Sequence, residues 1–231
     1  GLVRGAAPDI DLALLEAELK RFLDELLHGR FMQERVPPEA RVIRDIAFSG
    51  NGEPTGSKAF AEIVDKVVAI RNAAGLEAVP IRLITNGSLV DRPYVQTALQ
   101  HLAAAGGEVW FKFDAGTAAD IARINGIDID PHTHARRLAL CASLCPTWVQ
   151  TCLFRWDGQL PSREQIDHYL EMLEYAGTAA LKGVLLYGVA RPSFQPEATH
   201  LQQLAPDELE AIARTVREKL GTGGLTVTVS P

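Results

Sequence analysis

The stretch VIRDIAFSGNGEPTGSKAFAEIVDKVVAIRNAAG, residues 42–75, contains two different hydrophobic patterns. Residues 42–50 form a short apolar run that predicts a buried strand. Residues 57–75 carry apolar side chains at three- and four-residue spacing and end in glycine, which predicts a helix with a glycine cap. Between them, SGNGEPT (49–55) holds two glycines, a glutamate and a proline. A strand-to-helix turn needs only one or two such residues, so this stretch is either an elaborate turn or a ligand-binding loop.

The same alternation of strand and helix patterns continues along the chain. Further strands are predicted at 80–87, 108–116, 147–154, 181–191 and 225–230, and helices at 11–27, 92–107, 117–125, 131–144, 162–177 and 206–221. Alternation of this kind predicts βα units and a parallel sheet, either as a barrel or partial barrel or as an open doubly wound sheet. No shift in composition divides the chain, so we expect one domain over residues 1–231.

Composition and charge narrow the possible functions. The chain has 231 residues, of which 47% are hydrophobic and 23% charged, as in ordinary globular proteins. Its net charge of −6 and the lack of a basic stripe give no support to a nucleic-acid partner. The chain has no run of about 18 apolar residues, so no membrane span is predicted. The first residues lack the apolar core of a signal peptide. Three cysteines, an odd number, do not predict a disulfide framework, so we expect a cytoplasmic protein.

Polar and glycine-rich residues concentrate at the carboxyl ends of the predicted strands. These ends are FSGNGEPT, ITNGS, KFDAGT, CLFRWDG and YGVARPS, whereas the opposite connections, such as AAGLEAVP, carry few polar residues. In barrels and in open α/β sheets, ligands bind at the carboxyl ends of the strands. The asymmetry therefore predicts one functional face.

FSGNGEPT after a strand, followed about thirty residues later by ITNG, resembles radical S-adenosylmethionine (SAM) enzymes. FKFDAGT looks like the fourth strand of that family, and LYGVARPS looks like a sixth-strand ending in the branch related to wybutosine-synthesis enzymes. The resemblance covers residues 10 to 220 and implies a partial (β/α)6 TIM-like barrel. It also implies SAM and a [4Fe–4S] cluster as cofactors, a 5′-deoxyadenosyl radical, and a reductant protein as partner. It does not name the substrate or the catalytic residues.

The cysteines depart from this family. Its cluster motif is CxxxCxxC in the loop after the first strand, whereas this chain has no cysteine before Cys141. We therefore expect a barrel that lacks the first strand and the cluster loop, with no metal ligands in this chain, so that only the full-length form is an active enzyme. Cys141 and Cys145 fall on an apolar predicted helix and Cys152 on a strand, where cysteine commonly packs as a small hydrophobe.

The resemblance assigns the SGNGEPT loop to the amino group of SAM. Backbone groups of Gly50, Asn51 and Gly52 would bind it, and Glu53 matches the glutamate of the motif. The alternative for Glu53 is a tight turn in which its charge lies favourably near a helix N-terminus. Asn86 begins an Asn-Gly turn, for which turn chemistry alone is the alternative to a ligand role.

Alternation with period two places Lys112 and Asp114 on one face of their strand and Phe111 and Phe113 on the other. Lys112 could bind the SAM carboxylate and Asp114 the ribose hydroxyls, as polar residues of this strand do in the family. The alternative is an ion pair between Lys112 and Asp114.

Three further residues lie on or after the following strands. Gln150 shares a strand face with Cys152 and is a candidate for cofactor binding. Tyr187 could stack on the adenine, and Arg191 could bind an anionic group. Tyr187 and Arg191 are equally compatible with structural roles.

The HTH sequence at 132–134 resembles a metal-binding pair, but at a helix start residues two apart diverge, so no metal site is predicted there.

Two other functional classes remain open. One is a TIM-barrel-like enzyme whose glycine-rich loop holds a phosphate at a helix N-terminus, which the Glu53 charge disfavours. The other is a non-catalytic binding or scaffold protein that keeps the barrel without the cluster.

Overall fold

The computed structural model describes residues 10–50, 52–189, 196–221 and 224–230. Its helices are α1 (Leu12–Leu27), α2 (Phe31–Arg35), α3 (Phe60–Ala73), α4 (Pro93–Ala104), α5 (Ala118–Asn125), α6 (Pro131–Leu144), α7 (Arg163–Ala176) and α8 (Pro206–Leu220). Its strands are β1 (Ile46–Phe48), β2 (Ile81–Thr85), β3 (Glu108–Lys112), β4 (Thr147–Cys152), β5 (Arg155–Trp156), β6 (Gly183–Tyr187), β7 (Leu201–Gln202) and β8 (Thr226–Ser230). Short 3-10 turns lie at Pro38–Ala40, Pro54–Gly56, Thr178–Ala180 and Pro196–His200. No helix in these ranges is long and apolar enough to cross a membrane.

Six parallel strands form the main sheet in the order β1-β2-β3-β4-β6-β8. This spatial order is the order along the chain, whereas a doubly wound sheet reverses direction at a switch point. The predicted parallel sheet and partial, TIM-like barrel are therefore confirmed, and the barrel is open, with β1 and β8 at its edges. A second sheet pairs β5 with β7 in antiparallel fashion.

The helices cover one face of the sheet. Burial alternates along β2 and β4, where every second residue is buried against the helical layer. Phe111 and Phe113 are buried on this side, as predicted, together with Leu83, Val149 and Leu186. The intervening residues form what we call the open face: Arg82, Ile84, Glu108, Trp110, Lys112, Trp148, Gln150, Cys152, Leu185 and Tyr187.

The structure differs from the predictions made from the sequence in three places. Strand β1 spans three residues instead of the predicted 42–50, and Val42 is 53% exposed. Phe22 continues the three- and four-residue spacing of apolar side chains that predicts helix 11–27, yet it is 50% exposed and packs edge-to-face on Phe31, while Leu23 is the buried residue of α1. The β5–β7 pair was not predicted, because its strands are two residues long.

Candidate functional site

The carboxylate of Glu53 joins two loops at the carboxyl end of the sheet. Glu53 caps the 3-10 turn Pro54–Gly56 and accepts hydrogen bonds from Thr55 N (3.2 Å) and Thr55 Oγ1 (2.7 Å). It also accepts hydrogen bonds from Thr85 Oγ1 (2.6 Å) and Asn86 N (2.8 Å) after strand β2. Glu53 therefore fixes the SGNGEPT loop against the TNG turn, and it does not cap α3, which begins at Phe60.

The loop before Glu53 presents backbone beside open space. Gly50 has φ +156°, a region that residues with a side chain rarely adopt. A Cβ atom added at Gly50 or Gly52 would meet no atom within 4 Å. The backbone around these glycines can therefore be approached closely by a ligand. Asn51 lies outside the described residues.

The TNG turn is held by its own hydrogen bonds. Asn86 Oδ1 accepts a hydrogen bond from Ser88 N (2.9 Å), and Gly87 N donates to Thr85 Oγ1 (3.0 Å). Gly87 has φ +71°, and a Cβ there would lie 2.1 Å from Phe111 Cζ. Turn chemistry thus explains both the asparagine and the glycine, and a ligand role for Asn86 stays a prediction.

The carboxyl half of the open face carries what we call the carboxyl-end strip: Lys112, Gln150, Cys152 and Tyr187. Lys112 lies beside Gln150, and Cys152 lies beside Tyr187, in the register of the parallel ladder. Lys112 is exposed and forms no ion pair with any residue that the structure describes. Gln150 Oε1 is buried, and no hydrogen bond reaches it from the described ranges. The strip therefore holds a cation and an acceptor that the protein itself leaves unused. Arg191 lies outside the described residues.

Asp114 lies just past the end of β3. Its carboxylate accepts hydrogen bonds from Cys152 N (2.9 Å) and Asn125 Nδ2 (2.9 Å). Burial raises the pKa of Asp114 above its usual value, against the opposing effect of these hydrogen bonds and of Lys112. The alternative ion pair between Lys112 and Asp114 is not formed in the described part of the chain.

The three cysteines do not form a site for an iron–sulfur cluster. Cys141 and Cys145 are buried at the end of α6, where they belong to the hydrophobic core. Burial raises the pKa of each of the three thiols to about 12. Cluster ligands are thiolates gathered around one group, whereas Cys141 and Cys145 pack in the core and Cys152 lies on the open face of β4, so the three side chains do not fit the group. No set of three His, Cys, Asp or Glu side chains suitable for a metal is found within the described ranges.

The two histidines of the HTH sequence point in different directions. His132 is exposed and packs edge-to-face on Tyr175 at 4.9 Å. His134 is buried, stacks on Phe113 at 4.7 Å, and its Nε2 lies 3.1 Å from the carbonyl oxygen of Lys112. Burial lowers the pKa of His134 to about 4. Their divergence agrees with a helix start, which was the basis for predicting no metal pair here.

A cavity on the helical side of the sheet was missed by sequence reasoning. The helix-side cavity has a volume of about 270 Å³ and lies at the carboxyl end of β4, between α5, α7 and α8. Its lining includes Asp114, Trp156, Tyr169, Leu186, Ile212 and Val216. Several of these residues fall in helix patterns where apolar side chains indicate only core packing, so the one sequence signal is the aromatic and polar strand ending CLFRWDG.

The amino half of the open face carries a second polar group of side chains, which we call the amino-end cluster: Asp45, Arg82, Glu108, Trp110 and Trp148. Arg82 forms ion pairs with Asp45 and with Glu108 (2.7 Å). Glu108 also accepts the indole N–H of Trp110 (3.2 Å) and of Trp148 (3.0 Å), while Arg82 stacks over Trp110 at 4.7 Å. The members of this cluster satisfy one another.

Comparison with known proteins supports the fold. A radical SAM methyltransferase from Sphaerobacter thermophilus is similar in structure. The two share 16% identity and a TM-score of 0.54, over 90% of this chain and 56% of that one. A putative sugar phosphate isomerase/epimerase from Anabaena variabilis shares 13% identity and a TM-score of 0.45, over 95% of this chain and 68% of that one. No family model and no curated protein sequence matches.

At this level of identity, the likeness to the methyltransferase shows the fold alone. This chain spans little more than half of the length of the methyltransferase structure, 56%. The activity of the methyltransferase is therefore a property of that protein, and a shared cofactor is a matter of proposal for this chain.

Proposed function

We propose that this chain binds SAM along the carboxyl ends of its parallel strands, as part of a radical SAM-type enzyme. The observation that carries the proposal is the contact of Glu53 with Thr85 and Asn86. SGNGEPT and TNG are the two motifs on which the resemblance rests, and they are separated by a whole helix. Their meeting through one carboxylate supports a common purpose at this edge of the sheet.

The groups at this edge of the sheet match the chemical groups of SAM. The amino group is cationic, and it suits the backbone of residues 50–52 together with Glu53 Oε2, which accepts a single hydrogen bond from the described residues. The methionyl carboxylate suits Lys112, which is exposed and without an ion pair in the same part of the chain. The unused Oε1 of Gln150 can accept from a ribose hydroxyl or from an amine.

The remaining predicted residues take secondary places in this proposal. Tyr187 offers a ring to the adenine at the end of β6, and Asp114 is proposed for the ribose. Asn86 would act through the turn that it holds. Asn51 and Arg191 keep the roles assigned to them by the resemblance.

The iron–sulfur cluster, unlike SAM, is not assigned to residues of this chain. Its chemistry, when present, is the reductive cleavage of SAM to a 5′-deoxyadenosyl radical. The three cysteines of this chain do not fit it, so we assign SAM binding to this chain and derive no catalytic step from it. The cluster thiolates and the reductant protein would be supplied by other parts of the protein or by partners.

Isothermal titration calorimetry of the 231-residue chain with SAM tests the binding proposal. We expect saturable binding to the wild type and at least threefold weaker binding to Lys112→Met. Glu108→Gln, in the amino-end cluster, is the matched control and should bind as the wild type does. Absence of binding at millimolar SAM, or equal weakening by both variants, would contradict the proposal. Displacement of SAM by inorganic phosphate would favour the phosphate-binding alternative.

A second experiment separates an enzyme from a binding protein. The protein as its organism makes it is reconstituted anaerobically with iron and sulfide, reduced with dithionite and incubated with SAM. Formation of 5′-deoxyadenosine supports the radical SAM enzyme. SAM binding without iron uptake and without cleavage would leave a binding or scaffold protein and exclude the enzyme.

A further inference from the structure

The helix-side cavity is separate from the surface proposed for SAM. Its inner wall includes Thr151 and Leu186, which face the helices, whereas Lys112, Gln150 and Tyr187 of the carboxyl-end strip lie on the opposite face of the sheet and do not line the cavity. Its other walls come from Tyr169 of α7 and from Ile212 and Val216 of α8. Ligand pockets commonly measure about 300–1,000 Å³, so a volume of about 270 Å³ suits a small molecule.

The β5–β7 pair lies beside the cavity, which Trp156 of β5 lines. β5 follows β4, β7 precedes α8, and the two strands pair in register through Trp156 and Leu201. Arg155 forms an ion pair with Glu208. Asp157 forms a hydrogen bond with His200 (2.6 Å), whose ring stacks on Trp156 at 5.3 Å. The segments around β5 and β7 are thus bound to each other, which fixes Trp156 at the wall of the cavity.

Three carboxylates of the described residues line the cavity, and they differ in their hydrogen-bond partners. Asp120 accepts hydrogen bonds from Arg123 (2.9 Å), Gln165 (2.6 Å) and Thr117 Oγ1 (2.7 Å). Asp157 is hydrogen-bonded to His200. Asp114 accepts only neutral donors, a backbone N–H and an asparagine amide, from the residues that the structure describes. A half-buried carboxylate of this kind favours a ligand that brings a positive charge.

The polar groups of the inner wall are already satisfied. Thr151 Oγ1 donates to the carbonyl oxygen of Phe113 (2.9 Å) and lies 2.7 Å from the hydroxyl of Tyr169. The cavity therefore combines aromatic and aliphatic surfaces with polar side chains, among which Asp114 is the carboxylate that no described arginine or histidine contacts.

We propose that the helix-side cavity binds a small primary amine with an aromatic or compact apolar body. The apolar body packs against Trp156, Tyr169 and the α8 side chains, and the ammonium group meets the Asp114 carboxylate. This site goes beyond the SAM proposal. Asp114 is proposed for both sites, and Cys152 of the carboxyl-end strip also lines the cavity, so the test includes a variant on the α8 side.

The test follows the indole N–H signals of the three tryptophans in ¹H–¹⁵N spectra of the full chain. Trp156 reports on the cavity, while Trp110 and Trp148 report on the amino-end cluster and on folding. The probes are 2-phenylethylamine, 2-phenylethanol and 3-phenylpropionate, which share a ring and differ in charge. We expect the amine to shift the Trp156 signal saturably, with affinity at least tenfold above that of the alcohol and higher still above that of the acid.

Two variants complete the test. Ile212→Phe fills the cavity and should abolish the Trp156 response to the amine, while the Trp110 and Trp148 signals stay dispersed. Asp114→Asn should bring the affinities of the amine and the alcohol within threefold of each other. No saturable Trp156 shift in the wild type, or binding of the alcohol or acid as tight as that of the amine, would overturn the proposal. Because no SAM is present, this outcome is independent of the SAM titration.

Discussion

The two ends of the open face carry similar types of residue, but the hydrogen bonds and ion pairs of these residues differ. At the amino end, Glu108 accepts hydrogen bonds from Arg82, Trp110 and Trp148, so charges and indole groups satisfy each other. At the carboxyl end, Lys112 has no ion pair and Gln150 Oε1 has no hydrogen bond within the described residues. Both ends are half-open to solvent and lie on the same strands.

This difference distinguishes the end of the open face that stabilises the fold from the end that is available to a ligand. A polar cluster whose members are mutually satisfied strengthens the fold and has little left to offer a ligand. Polar groups that remain unsatisfied in a folded protein are candidates for ligand contacts. We therefore assign the amino-end cluster to stability and the carboxyl-end strip to binding, and four predictions test this division.

The largest effect is expected for Glu108→Ala. It leaves Arg82 with one partner fewer and removes the acceptor of two indole N–H groups. Hydrogen bonds to charged groups contribute about 1.5–3 kcal/mol each, so we expect a loss of about 3 kcal/mol in the free energy of unfolding. Urea unfolding measures it, with Asp45→Ala, which removes one ion pair, as the smaller matched change. Equal losses in the two variants would mean that the cluster is not held by Glu108.

Glu53→Gln should affect both stability and binding. The amide keeps one acceptor but brings an N–H₂ group toward Thr85 and Asn86, which donate to the carboxylate. We expect a loss of about 2 kcal/mol in the free energy of unfolding and at least a tenfold loss of SAM affinity. Urea unfolding and calorimetry measure the two effects. Unchanged SAM affinity in a destabilised variant would show that Glu53 has only a structural role.

Acidic pH should lower the free energy of unfolding through His134, which packs on Phe113 behind the carboxyl end of β3. Its folded-state pKa of about 4 lies below the unfolded value of 6.5, so the unfolded state takes up the proton first. His134 therefore stabilises fully above about pH 6.5, and this stability is lost as the pH falls toward 4. At about pH 5 we expect a loss of about 1.5 kcal/mol relative to neutral pH.

The His134 effect is measured as a difference between wild type and His134→Gln. This difference is needed because the raised pKa of the buried Asp114 carboxyl acts in the opposite sense. The variant should lose less stability than the wild type between neutral pH and about pH 5. Parallel pH curves for the two proteins would refute the role of His134.

The smallest change in stability is expected for Gln150→Met. The substitution removes the buried acceptor without a hydrogen bond and keeps the length of the side chain. The free energy of unfolding should change by less than about 0.5 kcal/mol, while SAM binds at least threefold more weakly. A large loss of stability would reveal a structural role that the hydrogen bonds do not show.

Local signals in the sequence predicted much of the fold. Helix α6 begins at Pro131, with Asp130 as its N-cap, and its bounds match the prediction, because cap and proline signals are local. Strand β1 was predicted too long, because the pairing of Ile46–Phe48 with β2 depends on a partner about 35 residues away.

The candidate site was predicted only in part. The motif residues and strand faces were identified from spacing. The hydrogen bond from Asn86 N to Glu53 joins two loops that are distant in sequence, so spacing does not predict it. The helix-side cavity is lined by residues from strand ends and from three helices, and no periodic pattern in the sequence expresses their convergence. Satisfaction of Glu108 by two indoles likewise became visible only in three dimensions.

A titration with SAM followed by ¹H–¹⁵N spectra tests the central claim most directly. The backbone amides of Gly52, Asn86 and Lys112 report on the carboxyl end, and the indole signals of Trp110 and Trp148 report on the amino end. We predict saturable shifts at the carboxyl-end amides, with both indole signals unmoved. Shifts that concentrate at Trp110 and Trp148, or no shift anywhere at millimolar SAM, would contradict the account.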